Sequence, residues 1–189
     1  ARFFGEVFYS EIYKPVKELG NIGTVIDLGS CTGEFSLWVY PQAEKIYAIE
    51  PDREAYKHLK ENVKEFEKIK TFRLAIAGKN GIAGMSGGSI GAKSIIHNVT
   101  QNPQQIVRIQ TLATFMEKNG IEVVDCLKTD AESAEDEIFK AEDFSKIADK
   151  IKFIIGEHLK GSKVLLKAHG FKIENYEHGL VAKRIWNKK

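Results

Sequence analysis

The 189-residue chain holds only two cysteines, four prolines, two tryptophans and two methionines. Neither Cys31 nor Cys126 belongs to a Cys-x-x-Cys pair, which argues against a zinc site or a disulfide framework and for a reduced, cytoplasmic protein. No apolar run reaches the eighteen or more residues that suggest a membrane span, and no signal-peptide pattern is seen. Neither sign of charge dominates. Lys and Arg number 28 against 26 Asp and Glu, for a formal net charge of +2, so no bulk attraction to nucleic acid is expected. The basic end, Lys183-Arg184 and Lys188-Lys189, reads as a solvated tail. Repeats and linker-like stretches are absent too. With 43% hydrophobic and 29% charged residues, the chain is expected to form a single domain over 1–189 with a full core.

The most informative stretch is Val25-Ile26-Asp27-Leu28-Gly29-Ser30-Cys31-Thr32-Gly33. An apolar run ends in an acid and a glycine-bearing loop, and Phe35, Leu37, Trp38 and Val39 then follow a helical pattern. That is a strand, a tight turn and a helix N-terminus. Glycine lets backbone come close to a ligand, and the first helix amides are expected to point unpaired into the same crevice. Lys45 to Ile49 reads as a second strand ending in Glu50-Pro51. Glu50 lies roughly twenty residues past Gly29, where an acid can bond ribose hydroxyls in a Rossmann-like βαβ unit.

The loop is Asp-x-Gly-x-x-x-Gly rather than the tighter Gly-x-Gly-x-x-Gly that brings backbone onto a pyrophosphate. An anion beside Asp27 would be repelled, whereas a cationic ligand would not. S-adenosylmethionine fits, with a positive sulfonium, no phosphate and a ribose diol for Glu50. The expected cofactor contacts are Asp27, Gly29, Ser30, Thr32, Gly33, Glu50 and Pro51, with Ile76 and Ala77 leaving room for a flat adenine and Asp130 closing the site.

Around this unit, Phe3 to Leu19 has helical spacing, so residues 1–20 are expected to be a covering helix stopped by Gly20. Asp52 should cap a helix whose inner face is Ala55, Leu59, Val63 and Phe66. Thr71 to Ala77 alternates and reads as a third strand. Asn80 to Asn98 is glycine-rich but interrupted by isoleucines, and is expected as a mobile excursion or hairpin near the site. Strands at 105–111, 122–128 and 151–155 alternate with helices, and His178-Gly179 separates the arms of a closing hairpin. The fold class is therefore α/β, a mostly parallel doubly wound sheet of Rossmann-like type with a C-terminal antiparallel hairpin.

Asp130, Glu132 and Glu135 crowd the end of one central strand. Carboxylates placed together raise one another's pKa and mark a site candidate. A helix dipole accounts for the two glutamates more readily than for Asp130. His158, after a late strand, is a second candidate base, since an unperturbed imidazole pKa of roughly 6.5 suits neutral pH; it ranks ahead of His97 in the glycine-rich excursion. His58, His169 and His178 read as surface or turn residues.

Four segments together resemble the successive motifs of FkbM-type methyltransferases. They are Val25-Ile26-Asp27-Leu28-Gly29 with Gly33, Tyr47-Ala48-Ile49-Glu50-Pro51, Leu127 to Glu135, and Ile154-Ile155-Gly156-Glu157-His158. The resemblance covers roughly residues 22–175, and Lys128-x-Asp130-x-Glu132-x-Ala134-Glu135 is its most specific part. It implies a class I methyltransferase fold, S-adenosylmethionine as methyl donor, and O-methylation of a sugar or other small-molecule hydroxyl. Carried over by motif, Asp27, Gly29, Gly33 and Glu50 would bind the cofactor, and Asp130, Glu132 and Glu135 would line the transfer site. The family usually has glycine where Ser133 stands, and Gly156 here separates the late apolar run from Glu157.

The expected catalytic set is thus Asp130, Glu132 and His158, with no metal required. The partner is a small hydroxyl acceptor, with neither nucleic acid nor membrane; nothing in the sequence sets the oligomeric state. Three rivals remain open: an RNA or base methyltransferase, a Mg²⁺-assisted catechol-type enzyme, and a non-catalytic S-adenosylmethionine-binding module. The first usually carries Asn/Asp-Pro-Pro-aromatic where this chain has Lys128-Thr129-Asp130-Ala131. An NAD-dependent oxidoreductase fits the loop spacing least well.

Overall fold

The computed structural model describes residues 12–87, 93–96, 104–131, 135–156, 159, 161–176 and 179–186. The first described helix, α1, is only Lys14–Lys17, shorter than the periodicity of residues 3–19 suggests. Pro15 lies in its first turn, where a ring without an N–H is tolerated, and this favours a helix start at this point. Gly20, at φ +69°, follows the helix. The rest of the expected covering helix, residues 1–11, lies outside the described residues.

β1 (Ile22–Leu28), α2 (Glu34–Val39), β2 (Ala43–Ile49), α3 (Arg53–Asn62) and β3 (Ile69–Phe72) form two successive βα units and a third strand. Asp52 caps α3 as its residue type predicts, its Oδ1 accepting from the amides of Glu54 at 3.0 Å and Ala55 at 2.9 Å. β8 (Cys126–Thr129), α5 (Glu135–Lys140), β9 (Phe153–Gly156) and α6 (Lys163–Ala168) build the other half. β10 (Phe171–Tyr176) and β11 (Gly179–Arg184) close it as an antiparallel hairpin. The sheet order is β10-β11-β9-β8-β1-β2-β3, parallel from β9 through β3.

The inner strands of this parallel stretch are buried on both sides, while the edge strand β3 is partly exposed. In β1, Val25 packs into one apolar cluster, while Ile26 and Leu28 pack into the other. In β2, Ile46 and Ala48 face the first cluster, and Tyr47 and Ile49 the second. Asp27 shares the side of Val25, under α2.

The sequence reads Thr71–Ala77 as one strand, but the structure divides it. β3 pairs with β2, whereas β4 (Ala75–Ile76) joins a second sheet with β5 (Gly81–Gly87), β6 (Lys93–Ile96) and β7 (Gln105–Gln110), in the order β4-β7-β5-β6. Alternation nonetheless runs straight through: Leu74 and Ile76 enter the large core, and Ala75 and Ala77 a small one with Ala83, Met85, Val107 and Ile109. Alternation records which side a residue faces, not which strand lies beside it. β5 (Gly81–Gly87) pairs antiparallel with β6 (Lys93–Ile96), so the glycine-rich stretch does contain a hairpin. β7 (Gln105–Gln110) pairs with the other edge of β5 and leads into α4 (Leu112–Lys118), which Thr111 caps.

Candidate active site

The chain leaves β1 for β2 on one side and later returns to place β8 on the other. The reversal falls between β1 and β8, and open α/β sheets bind ligands beyond the carboxyl ends of strands at such a point. The turn after β1 and the turn after β8 meet there. The Asp130 amide donates to the Leu28 carbonyl at 3.1 Å. Gly29 has φ +68°, and a Cβ built on it would lie 1.9 Å from the Asp130 carbonyl oxygen. No other residue fits that contact. Gly33 has φ +101°, and a Cβ built on it would lie 2.9 Å from Leu59 Cδ1, so its missing side chain lets α2 pack on α3.

The turn amides are mostly satisfied within the protein. Those of Gly29 and Ser30 donate to Ile49 O at 3.0 and 3.1 Å, that of Gly33 to Ser30 O at 2.8 Å, and that of Cys31 to Glu50 Oε2 at 2.8 Å. The turn itself is stitched to the end of β2 through these bonds. Ser30 is buried, and its hydroxyl donates to Asp27 O at 2.8 Å and Ile49 O at 3.3 Å. The Thr32 hydroxyl donates to Glu34 Oε1.

Asp27 is 0% exposed. Its Oδ2 accepts from the Ser36 hydroxyl at 2.7 Å, and its Oδ1 stands 3.2 Å from the Lys128 ammonium. Lys128, only 3% exposed, also donates to Gly29 O at 2.8 Å and Leu28 O at 3.2 Å. Burial works against its charge, but Asp27, Tyr13 and Asp130 more than reverse this and hold its pKa raised. Lys128 is the functional residue that sequence reading missed. It lies beside Asp27 in the β1–β8 register and holds the carbonyl side of the glycine turn. The available signal was a lysine within an otherwise apolar strand, Cys126-Leu127-Lys128-Thr129, which needs a buried counter-ion.

Glu50 is 5% exposed at the end of β2. Its Oε1 accepts from the Asp52 amide and its Oε2 from the Cys31 amide, both at 2.8 Å. A carboxylate offers about four lone-pair directions, so each oxygen retains one for a further donor. Burial pushes the Glu50 carboxyl up to about 7, against the opposing pull of the two amides. Pro51 is half-buried beside it. Ile76 and Ala77 are both buried, so their side chains belong to the large and small cores; what this strand end offers a ligand is small size and backbone.

Asp130 differs from the other acids. Its side chain is 35% exposed, and the Lys128 ammonium stands 4.0 Å away. Glu135 is buried, and its Oε1 accepts from the Ala131 amide at 2.7 Å and the Thr129 hydroxyl at 3.4 Å, which fixes the turn. Gly156 has a structural reason: a Cβ there would lie 2.5 Å from Thr129 O. Glu132 and His158, with Ser133, Glu157 and His97, lie outside the described residues. The Cys31 thiol is pushed up to about 12, by burial first and then by Glu34 and Glu50, so it is no nucleophile.

A family model of the methyltransferase FkbM domain matches residues 27–179, from Asp27 through Gly179. The chain belongs to the FkbM methyltransferase family. Methyltransferase FkbM from Methylobacillus flagellatus KT has a similar structure, at TM-score 0.62 and 12% identity, over 95% of this chain and 47% of that one. This chain therefore spans about half the length of that methyltransferase. Sp1610 of Streptococcus pneumoniae, a putative tRNA (m1A22) methyltransferase in complex with S-adenosyl-L-methionine, is similar at TM-score 0.56 and 17% identity, over 95% and 74%. TrmK of M. capricolum, in complex with S-adenosyl-homocysteine, is similar at 0.52 and 12%, over 90% and 66%. At such identities these structures share the fold alone: the Rossmann-like class I methyltransferase architecture with its C-terminal antiparallel hairpin. A search of curated proteins finds no match. No helix among the described residues is long and apolar enough to cross a membrane.

Proposed function

We propose that this FkbM-family chain, acting as one domain over 1–189, transfers a methyl group from S-adenosylmethionine to a hydroxyl of a sugar or other small molecule. The single observation behind this reading is the position of Asp130. It is a partly open carboxylate at the sheet's reversal point, backbone to backbone with the glycine turn that follows β1. The cofactor's site fits the residues present. Glu50 keeps acceptor capacity for a ribose diol, and Gly29 lets the turn after β1 close directly onto the Asp130 backbone beside it. When bound, the cofactor supplies a methyl carbon on a positively charged sulfur.

The chain supplies the rest. Lys128 neutralises Asp27 behind the turn and leaves Asp130 as the acid facing the crevice mouth. Asp130 orients the acceptor hydroxyl and takes its proton, a contribution of typically 10²–10⁴-fold. Alignment of acceptor and donor adds about 7–11 kcal/mol. Glu132 and His158 are proposed as its helpers.

The test uses methyl-labelled S-adenosylmethionine with a panel of sugar and other hydroxyl acceptors, and RNA as a control. Label should enter a hydroxyl acceptor, and Asp130→Asn should abolish this while binding S-adenosylhomocysteine as the wild type does. Label entering RNA alone, or equal loss of binding and transfer in Asp130→Asn, would contradict the assignment.

A further inference from the structure

The second sheet touches the cofactor side of the molecule through one side chain that the function has not yet absorbed. Gln105 is the first residue of β7, paired with Met85 of β5. Its carboxamide reaches across to the segment joining β2 to α3. Nε2 donates to Asp52 Oδ2 at 2.6 Å, and Oε1 accepts from the Arg53 amide at 3.1 Å. Asp52 is buried, its other oxygen caps α3, and its own amide donates to Glu50 Oε1. A chain of hydrogen bonds thus runs from Gln105 through Asp52 to the carboxylate of Glu50.

Sequence proximity does not impose this arrangement, since Gln105 and Asp52 are 53 positions apart. The α3 cap does not need it either, because Asp52 Oδ1 alone takes both the Glu54 and Ala55 amides. What the carboxamide adds is a hold on Asp52 and Arg53 together. That sets where the Asp52 amide points and so which direction Glu50 Oε1 keeps open. A hydrogen bond of 2.6 Å from an amide to a carboxylate is of the strong, charge-assisted kind.

We infer that Gln105 is a positioning residue for cofactor recognition: it holds the 50–53 segment so that Glu50 meets the ribose diol. This rests on the S-adenosylmethionine reading above. It makes the second sheet part of the binding machinery, although none of its side chains need touch the nucleoside.

Calorimetric titration of Gln105→Ala and Gln105→Glu with S-adenosylhomocysteine, from pH 5.5 to 8.5, tests it. The ionisable groups that bear on Glu50 are Asp52, Lys128 and the Cys31 thiol. All three remain in both variants. Gln105→Ala should bind about tenfold more weakly, the effect of losing a hydrogen bond to a charged group. The pH at which affinity reaches half its maximum should move upward, because the Asp52 amide no longer steadies the ionised Glu50. Gln105→Glu keeps an acceptor for the Arg53 amide but sets a second carboxylate against Asp52, so it should fold and bind more weakly still. A role confined to folding would lower the melting temperature and leave the pH midpoint in place. Wild-type affinity and midpoint in both variants, or lowered stability with an unmoved midpoint, would overturn the inference. If the wild-type protein itself fails to bind S-adenosylhomocysteine, the functional reading falls, and this one falls with it.

Discussion

A lysine and an aspartate buried side by side must recover from each other, and from hydrogen bonds, what they lose in hydration. Lys128 does so with Asp27 Oδ1, Leu28 O and Gly29 O. Removing one partner strands the other charge. Lys128→Met should cost about 3–5 kcal/mol in urea unfolding, and adding Asp27→Asn should recover much of that loss. A second residue-scale prediction concerns Glu50. Its carboxyl is raised from 4.5 to about 7 in the fold, so the native state holds the proton more tightly than the unfolded chain. The resulting stabilisation is full below about pH 4.5 and lost as pH climbs through 7, about 3 kcal/mol at most. Unfolding measured at pH 5 and pH 8 should show this fall in the wild type and a smaller one in Glu50→Gln. Ribose hydroxyls donate to the ionised form, so affinity for S-adenosylhomocysteine should run the opposite way and rise through pH 7.

At the scale of elements, the glycine turn is a joint between two strands as much as a ligand cradle. Gly29→Ala would set a Cβ 1.9 Å from the Asp130 carbonyl in a left-handed backbone. It should destabilise the fold by at least about 2 kcal/mol and displace Asp130, which thermal melts and loss of transfer would register together. Much at this scale was readable in advance. The Asp27-to-Gly33 loop, the Asp52 and Thr111 caps, the glycine-rich hairpin and the closing hairpin all follow from local chemistry that neighbouring residues carry. What escaped is what sequence separation hides. The switch of partner between Phe72 and Ala75 leaves alternation untouched, so no local pattern marks it. Lys128 and Gly29 meet from 99 positions apart, and the cation that neutralises Asp27 is as far along the chain, so its ion pair could not be read locally. Ile76 and Ala77 point into the large and the small core, which the alternation of residues 71–77 does not reveal.

For the whole molecule, two sheets meet around one reversal point. The large sheet supplies the turn, Glu50 and Asp130, and the small one reaches the Glu50 segment through Gln105. The proposed nucleoside site makes a collective prediction: ligand that binds only the folded state should stabilise it, and raise the melting temperature, with the logarithm of its excess over the dissociation constant. The central claim is that Glu50, at the end of β2, grips an adenosyl cofactor beside the Gly29 turn. Calorimetric titration of the wild-type chain and Glu50→Ala with S-adenosylhomocysteine, alongside NAD, tests it most directly. The account predicts one site on the wild type, an affinity about a hundredfold weaker in Glu50→Ala, as loss of charged hydrogen bonds implies, and no heat with NAD. Binding of NAD, or S-adenosylhomocysteine binding indifferent to Glu50, would contradict it.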